Sequence, residues 1–248
     1  MSCRWPTAEI VILPGSLQVD VWCVELDSAK CIIEYYLGIL DEVEKERAAR
    51  YHYEADRRKF ILRHGVLRQM LGKYLNAQPS HIRYMTNEFG KPALDQFFGS
   101  NLQFNHSSSG NTTLLAFAEG RRVGIDIERV RQDFETGPIA KLFFSAAEQA
   151  SLFQLPPGQR VRGFYNCWTR KEAVIKAEGR GLSLPLDSFD VNLAPGEPAR
   201  VLAARDAALG VFQLKLQELE PSNGYAAALA VEGENWQASC WRFEDAGT

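Results

Sequence analysis

Two long stretches with helical hydrophobic spacing, each followed by several strand-like segments, restrict the possible folds of this 248-residue chain more than any other feature. In the first, Ala55 to Leu75, the residues Phe60, Leu67, Leu71 and Tyr74 recur at helical intervals, and Val66 and Met70 widen the apolar stripe. Gln78-Pro79-Ser80 ends it. The second runs from Gln159 to Glu178 and stops at Gly179. Ahead of the first helix, Gln18 to Leu26 alternates Val19, Val21 and Cys23 as a strand does, and Leu40 to Arg50 is heavily charged. Between the helices, Ile82 to Thr86 reads as a strand and Glu88 to Pro92 as a tight turn. Leu102 to Asn105 begins a strand that Ser107-Ser108-Ser109-Gly110 interrupts, and Thr112–Ala118 with Arg122–Ile127 reads as a hairpin turning at Glu119-Gly120. Phe143 to Leu155 is apolar-rich and closes at Pro156-Pro157-Gly158. Leu182–Leu193, Val211–Leu219, Tyr225–Val231 and Trp236–Phe243 read as strands. Antiparallel sheet with segregated helices is the α+β class. A long helix followed by strands, twice over, hints at a duplicated fold without a residue-level repeat.

Composition narrows the function classes. No apolar run approaches the ~18 residues of a membrane helix, and Met1 to Leu13, broken by Pro6 and Glu9, is a poor signal peptide. The expectation is a cytoplasmic protein. Five scattered cysteines without CxxC spacing point to reduced thiols rather than a disulfide framework or zinc site. A net charge of −3 argues against a nucleic-acid binder. Yet residues 121–180 carry eleven Lys/Arg against seven Asp/Glu, a basic bias that suits an acidic partner or a phosphate-bearing ligand as well as an ordinary solvated surface.

The sharpest local signal is Val123-Gly124-Ile125-Asp126-Ile127-Glu128. On a strand, Asp126 and Glu128 share a face, and paired carboxylates repel unless a cation or proton lies between them. Hard oxygen donors of this kind suit Mg²⁺; the alternative is a solvated acidic face. Farther on, Glu172 falls on the apolar line that runs through Trp168 and Ile175. A carboxylate there costs several kcal/mol unless it is paired or metal-bound. It is either the partner of Lys176, four residues on, or a third ligand beside Asp126 and Glu128. Arg63 lies between Phe60 and Leu67 in the first helix, with His64 and Arg68 beside it, and Lys91 and the serine stretch are candidate phosphate contacts.

Together these residues resemble the 4′-phosphopantetheinyl transferases of the large, surfactin-synthetase-activating (Sfp) type. The resemblance spans Leu17 to Val231 and rests on Phe89-Gly90-Lys91-Pro92, Phe104 to Gly110, Gly124 to Glu128, Phe143-Phe144-Ser145, Trp168 to Lys176, and Gly179 to Leu186. It implies a pseudo-symmetric monomer of two α+β halves, residues 1–118 and 119–248, with coenzyme A phosphate contacts in the first half. The second half would hold the metal site and the carrier-protein contacts. It implies Mg²⁺ on Asp126, Glu128 and Glu172, and a carrier-protein serine attacking the β-phosphate of coenzyme A with release of 3′,5′-ADP. Glu172 or a metal-bound water would take the serine proton, with Lys171 and Lys176 stabilising phosphate charge. Arg47, Lys91, Asn105, Ser107 and Ser108 match coenzyme-binding positions. Acidic acyl or peptidyl carrier proteins are the implied partners, and Arg129, Lys141, Arg160, Arg162 and Arg170 are candidates to meet them. Two departures stand out. The family's FNxSHS loop has Ser108 here at the histidine position, with His106 two residues earlier, and an arginine common in the first long helix is replaced by His64. A non-catalytic binding protein would be expected to lose one of Asp126, Glu128, Glu172 or Lys176, and all are present. A phosphohydrolase using the same carboxylates would release free phosphate.

Overall fold

The computed structural model describes residues 5–8, 11–26, 33–205 and 210–244. In chain order its main elements are β1 (Gln18–Glu25), α1 (Ile33–Ile39), α2 (Glu42–Ala49), α3 (Glu54–Leu75), β2 (Tyr84–Thr86), β3 (Pro92–Leu94), β4 (Leu102–Ser109), β5 (Thr112–Glu119) and β6 (Val123–Arg129). They continue with α4 (Thr136–Phe143), α5 (Ala146–Gln154), α6 (Pro157–Glu178), β7 (Phe189–Val191), β8 (Val201–Ala204), β9 (Leu214–Leu219), β10 (Tyr225–Glu232) and β11 (Gln237–Arg242). The expected α+β class is what is found.

Four layers result. The long helix α3 packs on a four-stranded sheet, β11-β1-β5-β4, and α6 packs on a three-stranded sheet, β6-β10-β9. The sheets meet face to face. Strand alternation sends Trp22, Val24, Leu115 and Phe117 toward α3, and Val19, Val21, Leu114 and Ala116 toward the second sheet. There they join Val123, Ile125, Ile127 and Leu229 in a shared middle core. Being covered on both faces explains why β5 and β10 read as continuous apolar runs.

Several connections differ from the sequence expectation. The segments 112–118 and 122–127 do not form a hairpin: β5 pairs with β1 and β4, and β6 pairs with β10. Both strands are apolar on the side that faces the other sheet, so they stack across the middle core instead of pairing edge to edge. The serine stretch does not break the strand; β4 runs on to Ser109, and the turn comes at Gly110. Leu182–Leu193 yields only the short β7, because 3₁₀ turns flank Pro185, and the strand expected from Val211 starts at Leu214. Trp236–Phe243 contains a strand, but β11 pairs parallel with β1, so the end of the chain returns to the first sheet. Cys23 and Cys167 are free and buried and Cys240 is buried, whereas Cys3 and Cys31 lie outside the described residues. Among the described residues, no helix is long and apolar enough to cross a membrane.

The face of the second sheet turned to α6 is made of small residues: Gly124 on β6 and Ala226, Ala228 and Ala230 on β10. At Gly124 the helix arrives backbone to backbone. A Cβ there would collide with the Ala173 carbonyl oxygen and the Ala177 amide nitrogen, neither of which can swing aside. Gly124→Ala is therefore expected to destabilise the protein by ~1–3 kcal/mol or more, a melting shift of roughly 2–12 °C for a chain of this size. Gly158→Ala, on the same helix with open space around it, should be neutral or stabilising. Thermal unfolding of the two variants side by side checks this, and equal melting temperatures would overturn it.

Candidate active site

The polar residues gather where β4, an edge of the first sheet, meets β6, an edge of the second. Alternate residues of β4 reach across. Asn105 Oδ1 accepts from the Ile125 amide at 2.9 Å, Ser107 Oγ donates to Asp126 Oδ1 at 2.8 Å, and Ser109 Oγ donates to Glu128 Oε2 at 2.8 Å. These partners satisfy the serines and let the strand continue. Asp126 is buried; its Oδ1 also receives Lys176 Nζ at 2.6 Å, while its Oδ2 is buried without a hydrogen-bond partner. Glu172 lies one helical turn before Lys176, and Lys176 pairs with Asp126 rather than closing an i,i+4 salt bridge with Glu172.

The three carboxylates feel one another. Burial raises Asp126 above the ordinary carboxylate range, and Lys176 and Ser107 offset only part of it. Burial and then the Asp126 charge raise Glu128, and burial, Asp126 and Glu128 raise Glu172 against the pull of Lys176. All the donors are hard oxygens and one is an orphan, a set that fits Mg²⁺. Among the described residues, no three such side chains close tightly enough to enclose an ion as they stand.

The other face of β4 looks toward α3. His106 and Ser108 lie there, and Ser108 Oγ is 2.8 Å from Thr113 Oγ1 on the neighbouring strand, turned away from the carboxylates. The His106 ring meets His64 edge to face at 5.9 Å, and His64 stacks on Phe60 at 4.1 Å. The guanidinium carbons of Arg47 and Arg63 lie 5.4 and 5.8 Å from the same Phe60 ring. Burial, then His64, Arg63, Lys176 and Arg47, push His106 well below the usual histidine range. Lys176 thus stands electrostatically between a carboxylate group and a cation group.

Two lysines serve the scaffold. Lys91 Nζ donates to the carbonyls of Val123 at 3.1 Å and Ala177 at 3.2 Å, and burial brings its pKa down to about 8. With Asn87 Nδ2 on the Gly179 carbonyl at 2.7 Å, it fastens the 87–91 turn to the end of α6, where helix carbonyls lack partners. A cavity of ≈ 280 Å³ beside this turn is lined by Phe89, Lys91, Asn105, Glu172 and Lys176. Lys171, expected near phosphate, is instead fully buried on the core side of α6. It pairs with Glu148 at 2.8 Å and donates to the Leu186 and Phe189 carbonyls at 2.6 Å. Arg160, Arg162 and Arg170 are engaged by partners within the chain, Arg170 buried and the other two half-exposed. Arg160 donates to the Phe153 and Leu155 carbonyls, and Arg162 and Arg170 bind Glu218.

Sequence reading also passed over Glu44 and named Arg68 only as a neighbour of Arg63. Arg68 is completely buried, bonded to Asp41, to Glu44 at 2.5 Å and to the Ile82 carbonyl at 2.8 Å. The readable signal was Asp41-Glu42-Val43-Glu44, a capping box that starts α2.

The similarity findings agree with the motif resemblance. Residues 122–230 match the family model described as the 4′-phosphopantetheinyl transferase superfamily, and residues 28–120 match that of the 4′-phosphopantetheinyl transferase N-terminal region. The 4′-phosphopantetheinyl transferase HetI of Nostoc sp. is 35% identical over 227 residues, covering 91% of this chain and 92% of its own. The 4′-phosphopantetheinyl transferase Sfp of Bacillus subtilis is 34% identical over 160 residues, 64% of this chain and 69% of its own. These relatives are transferases, and this chain is an enzyme of that class. It belongs to the 4′-phosphopantetheinyl transferase superfamily.

The burial of Lys171 carries a direct expectation. Lys171→Met leaves Glu148 buried without its cation and should cost ~3–5 kcal/mol. Adding Glu148→Gln should recover part of that loss. Chemical denaturation of both variants measures it; a stable Lys171→Met protein would contradict the structural role.

Proposed function

We propose that the protein moves the 4′-phosphopantetheine arm of coenzyme A to a serine of an acyl or peptidyl carrier protein, releasing 3′,5′-ADP. Besides the family, the observation that supports this most is the adjacency of two frustrated clusters. Carboxylates with an unpartnered buried oxygen lie on one side, cations around Phe60 on the other, and Lys176 between them. Coenzyme A carries phosphates for the cations, and its pyrophosphate can share a divalent cation with the acids.

Asp126, Glu128 and Glu172 would hold Mg²⁺. When bound, the ion supplies Lewis-acid neutralisation of phosphate charge. The protein's own residues do the rest. Arg47, Arg63, His64 and His106 receive phosphates, and Lys176 leaves its carboxylate partner to meet pyrophosphate charge. Glu172 accepts the proton of the carrier serine at a carboxylate oxygen. Ser107 and Asn105 keep β6 in register with β4 and so keep Asp126 in place. Lys91 acts by fastening the 87–91 turn to α6 rather than as a free phosphate ligand.

For the carrier, the basic face is narrower than composition suggested. Arg129 and Lys141 make no ion pair among the described residues. Arg129, Arg131, Phe134, Ile139 and Trp168 line a ≈ 380 Å³ apolar cavity whose rim includes Glu128, a fitting place for an acidic carrier to bring its serine. The two halves at 1–118 and 119–248 would then divide the work, coenzyme phosphates on the first and metal and carrier on the second.

Incubating an apo carrier protein with the enzyme, coenzyme A and Mg²⁺ should add about 340 Da to the carrier, the mass of the arm. Glu172→Gln should abolish the gain while staying folded, and free phosphate in place of 3′,5′-ADP would favour a hydrolase. A second test needs no turnover. Each of the three acids is held above its unfolded pKa, so ionising them costs the folded state. That cost is absent near pH ~4 and grows as pH rises through the raised values. Mg²⁺ should therefore raise the melting temperature more at pH 8 than at pH 5, and not at all in Asp126→Asn; a pH-independent shift would count against these ligands.

A further inference from the structure

Glu44 is an acid among the cations assigned above to phosphate. Its Oε2 accepts from the Asp41 amide at 3.2 Å and from Arg68 Nε at 2.5 Å, and Arg68 is itself locked by Asp41 and the Ile82 carbonyl. The other oxygen, Oε1, lies 3.1 Å from His64 Nδ1. A carboxylate fixed this way is a rigid stop for the imidazole, which Phe60 also pins by stacking. With Nδ1 on Glu44, the remaining ring nitrogen, Nε2, makes no hydrogen bond to a described residue. Arg63, next in the helix, has its Nε buried without a partner. The side opposite Glu44 thus keeps an unmet donor, even with the Tyr51 side chain bonded to the Arg63 guanidinium.

We propose that Glu44 is a positioning residue: it holds His64 with Nδ1–H on its carboxylate, so that Nε2 takes up a proton and donates it to a phosphate of the coenzyme. The inference rests on the coenzyme A reading. The proton comes from solvent, and no covalent bond to the phosphate forms.

The electrostatics agree in sign. Burial holds His64 below the ordinary histidine range, Glu44 opposes this, and Arg63 and Arg47 add to it. The charged and titratable groups facing the ring are Glu44 and Arg47 from α2, Arg63 from α3 and His106 from β4. His106 stays neutral for the reasons given, and the arginines stay charged. Glu44 is below the usual carboxylate range: burial raises it, but His64 and Arg68 outweigh that. A phosphate dianion at Nε2 raises the pKa of His64, so the ring gains a proton on binding. The resulting gain in affinity is full below the free-state pKa and is lost as pH rises through that of the complex.

The probe is 3′,5′-ADP, which carries phosphates and cannot react. Calorimetry in buffers of different ionisation heat should show the wild type taking up about half a proton more near neutral pH than His64→Gln does. Glu44→Gln keeps an oxygen for Nδ1–H but loses the charge. It should weaken binding about tenfold at pH 6.5, the equivalent of one pK unit of lost support for the imidazolium, and the loss should fade by pH 8. The phosphate's own titration near pH ~6 cancels in the ratio of variant to wild type. In a His64→Gln background, Glu44→Gln should change affinity by less than about twofold. Equal proton uptake with and without His64, or a Glu44→Gln loss that is the same at every pH and in both backgrounds, overturns the inference. Should Glu44→Gln fail to fold for want of its pair with Arg68, the proton count in His64→Gln decides alone. Wild-type protein that does not bind 3′,5′-ADP overturns the coenzyme reading and this inference with it; binding without a His64-linked proton overturns this inference only.

Discussion

Everything at the site depends on how closely α6 lies on β6. Because Gly124 has no side chain and the facing residues of β10 are alanines, the helix turn from Ala173 to Ala177 rests directly on the strand. Glu172 and Lys176 are four apart and so lie on one flank of that turn, beside Asp126 and Glu128, which project from the strand two residues apart. The glycine and the two acids of Gly124-Ile125-Asp126-Ile127-Glu128 are therefore one device. The acids are useful only where the helix comes near enough to add its own carboxylate and lysine. The spacing of the two motifs has a packing cause before it has a chemical one.

A second constraint keeps that contact in place. The last carbonyls of an α-helix have no partners within the helix. Here the Ala177 carbonyl goes to Lys91 and the Gly179 carbonyl to Asn87, both from the 87–91 turn of the other layer pair. Lys91 reaches the Val123 carbonyl as well, so one ammonium touches the start of β6 and the end of α6. Gly179 takes the left-handed conformation that lets the helix stop there, with φ of 73°. The cost is a lysine made easier to deprotonate by burial, with a pKa of about 8. The return of β11 to β1 and the shared middle core tie the two sheets at a second place.

The parts legible in the sequence were those set by local period. Alternation placed Asp126 and Glu128 on one side of a strand, and helical spacing placed Glu172 and Lys176 on one flank. What depended on distant partners was not legible. Ser107 to Ser109 have turn composition, yet they form strand because the acids of β6 accept their hydroxyls. A helix covered on most sides gives no indication of which basic residue is inside, so Lys171 looked like a phosphate ligand until Glu148, more than twenty positions earlier, supplied its counter-charge. The strands β5 and β6 are joined closely enough for a hairpin, and only the apolar character of both faces, matched by the opposing sheet, selects stacking instead. Arg68 was hidden for a related reason: a buried guanidinium needs several acceptors, and those come from a cap, a neighbouring acid and loop carbonyls that no local pattern links.

The departure at Ser108 takes on a different meaning once β4 is seen as a strand. Residues two apart on a strand share a face, so His106 and Ser108 point the same way, separated by about 7 Å along the chain. An imidazole on that face has moved one step along the strand rather than vanished, and the step brings it against His64 on α3. Ser108 meanwhile bonds to Thr113 across the β4–β5 pair, which leaves its hydroxyl engaged within the sheet. The basic side of the site is thereby centred nearer α3, over the ring of Phe60, where Arg47 and Arg63 also converge. Cations packed around a buried aromatic ring are stabilised by its face, and they repel one another until an anion arrives. On the other face of β4 the three carboxylates are raised by burial and by one another, with Lys176 paired to Asp126. A single occupant that brings negative phosphate to one group and a divalent ion to the other relieves both, which neither an anion nor a metal alone can do.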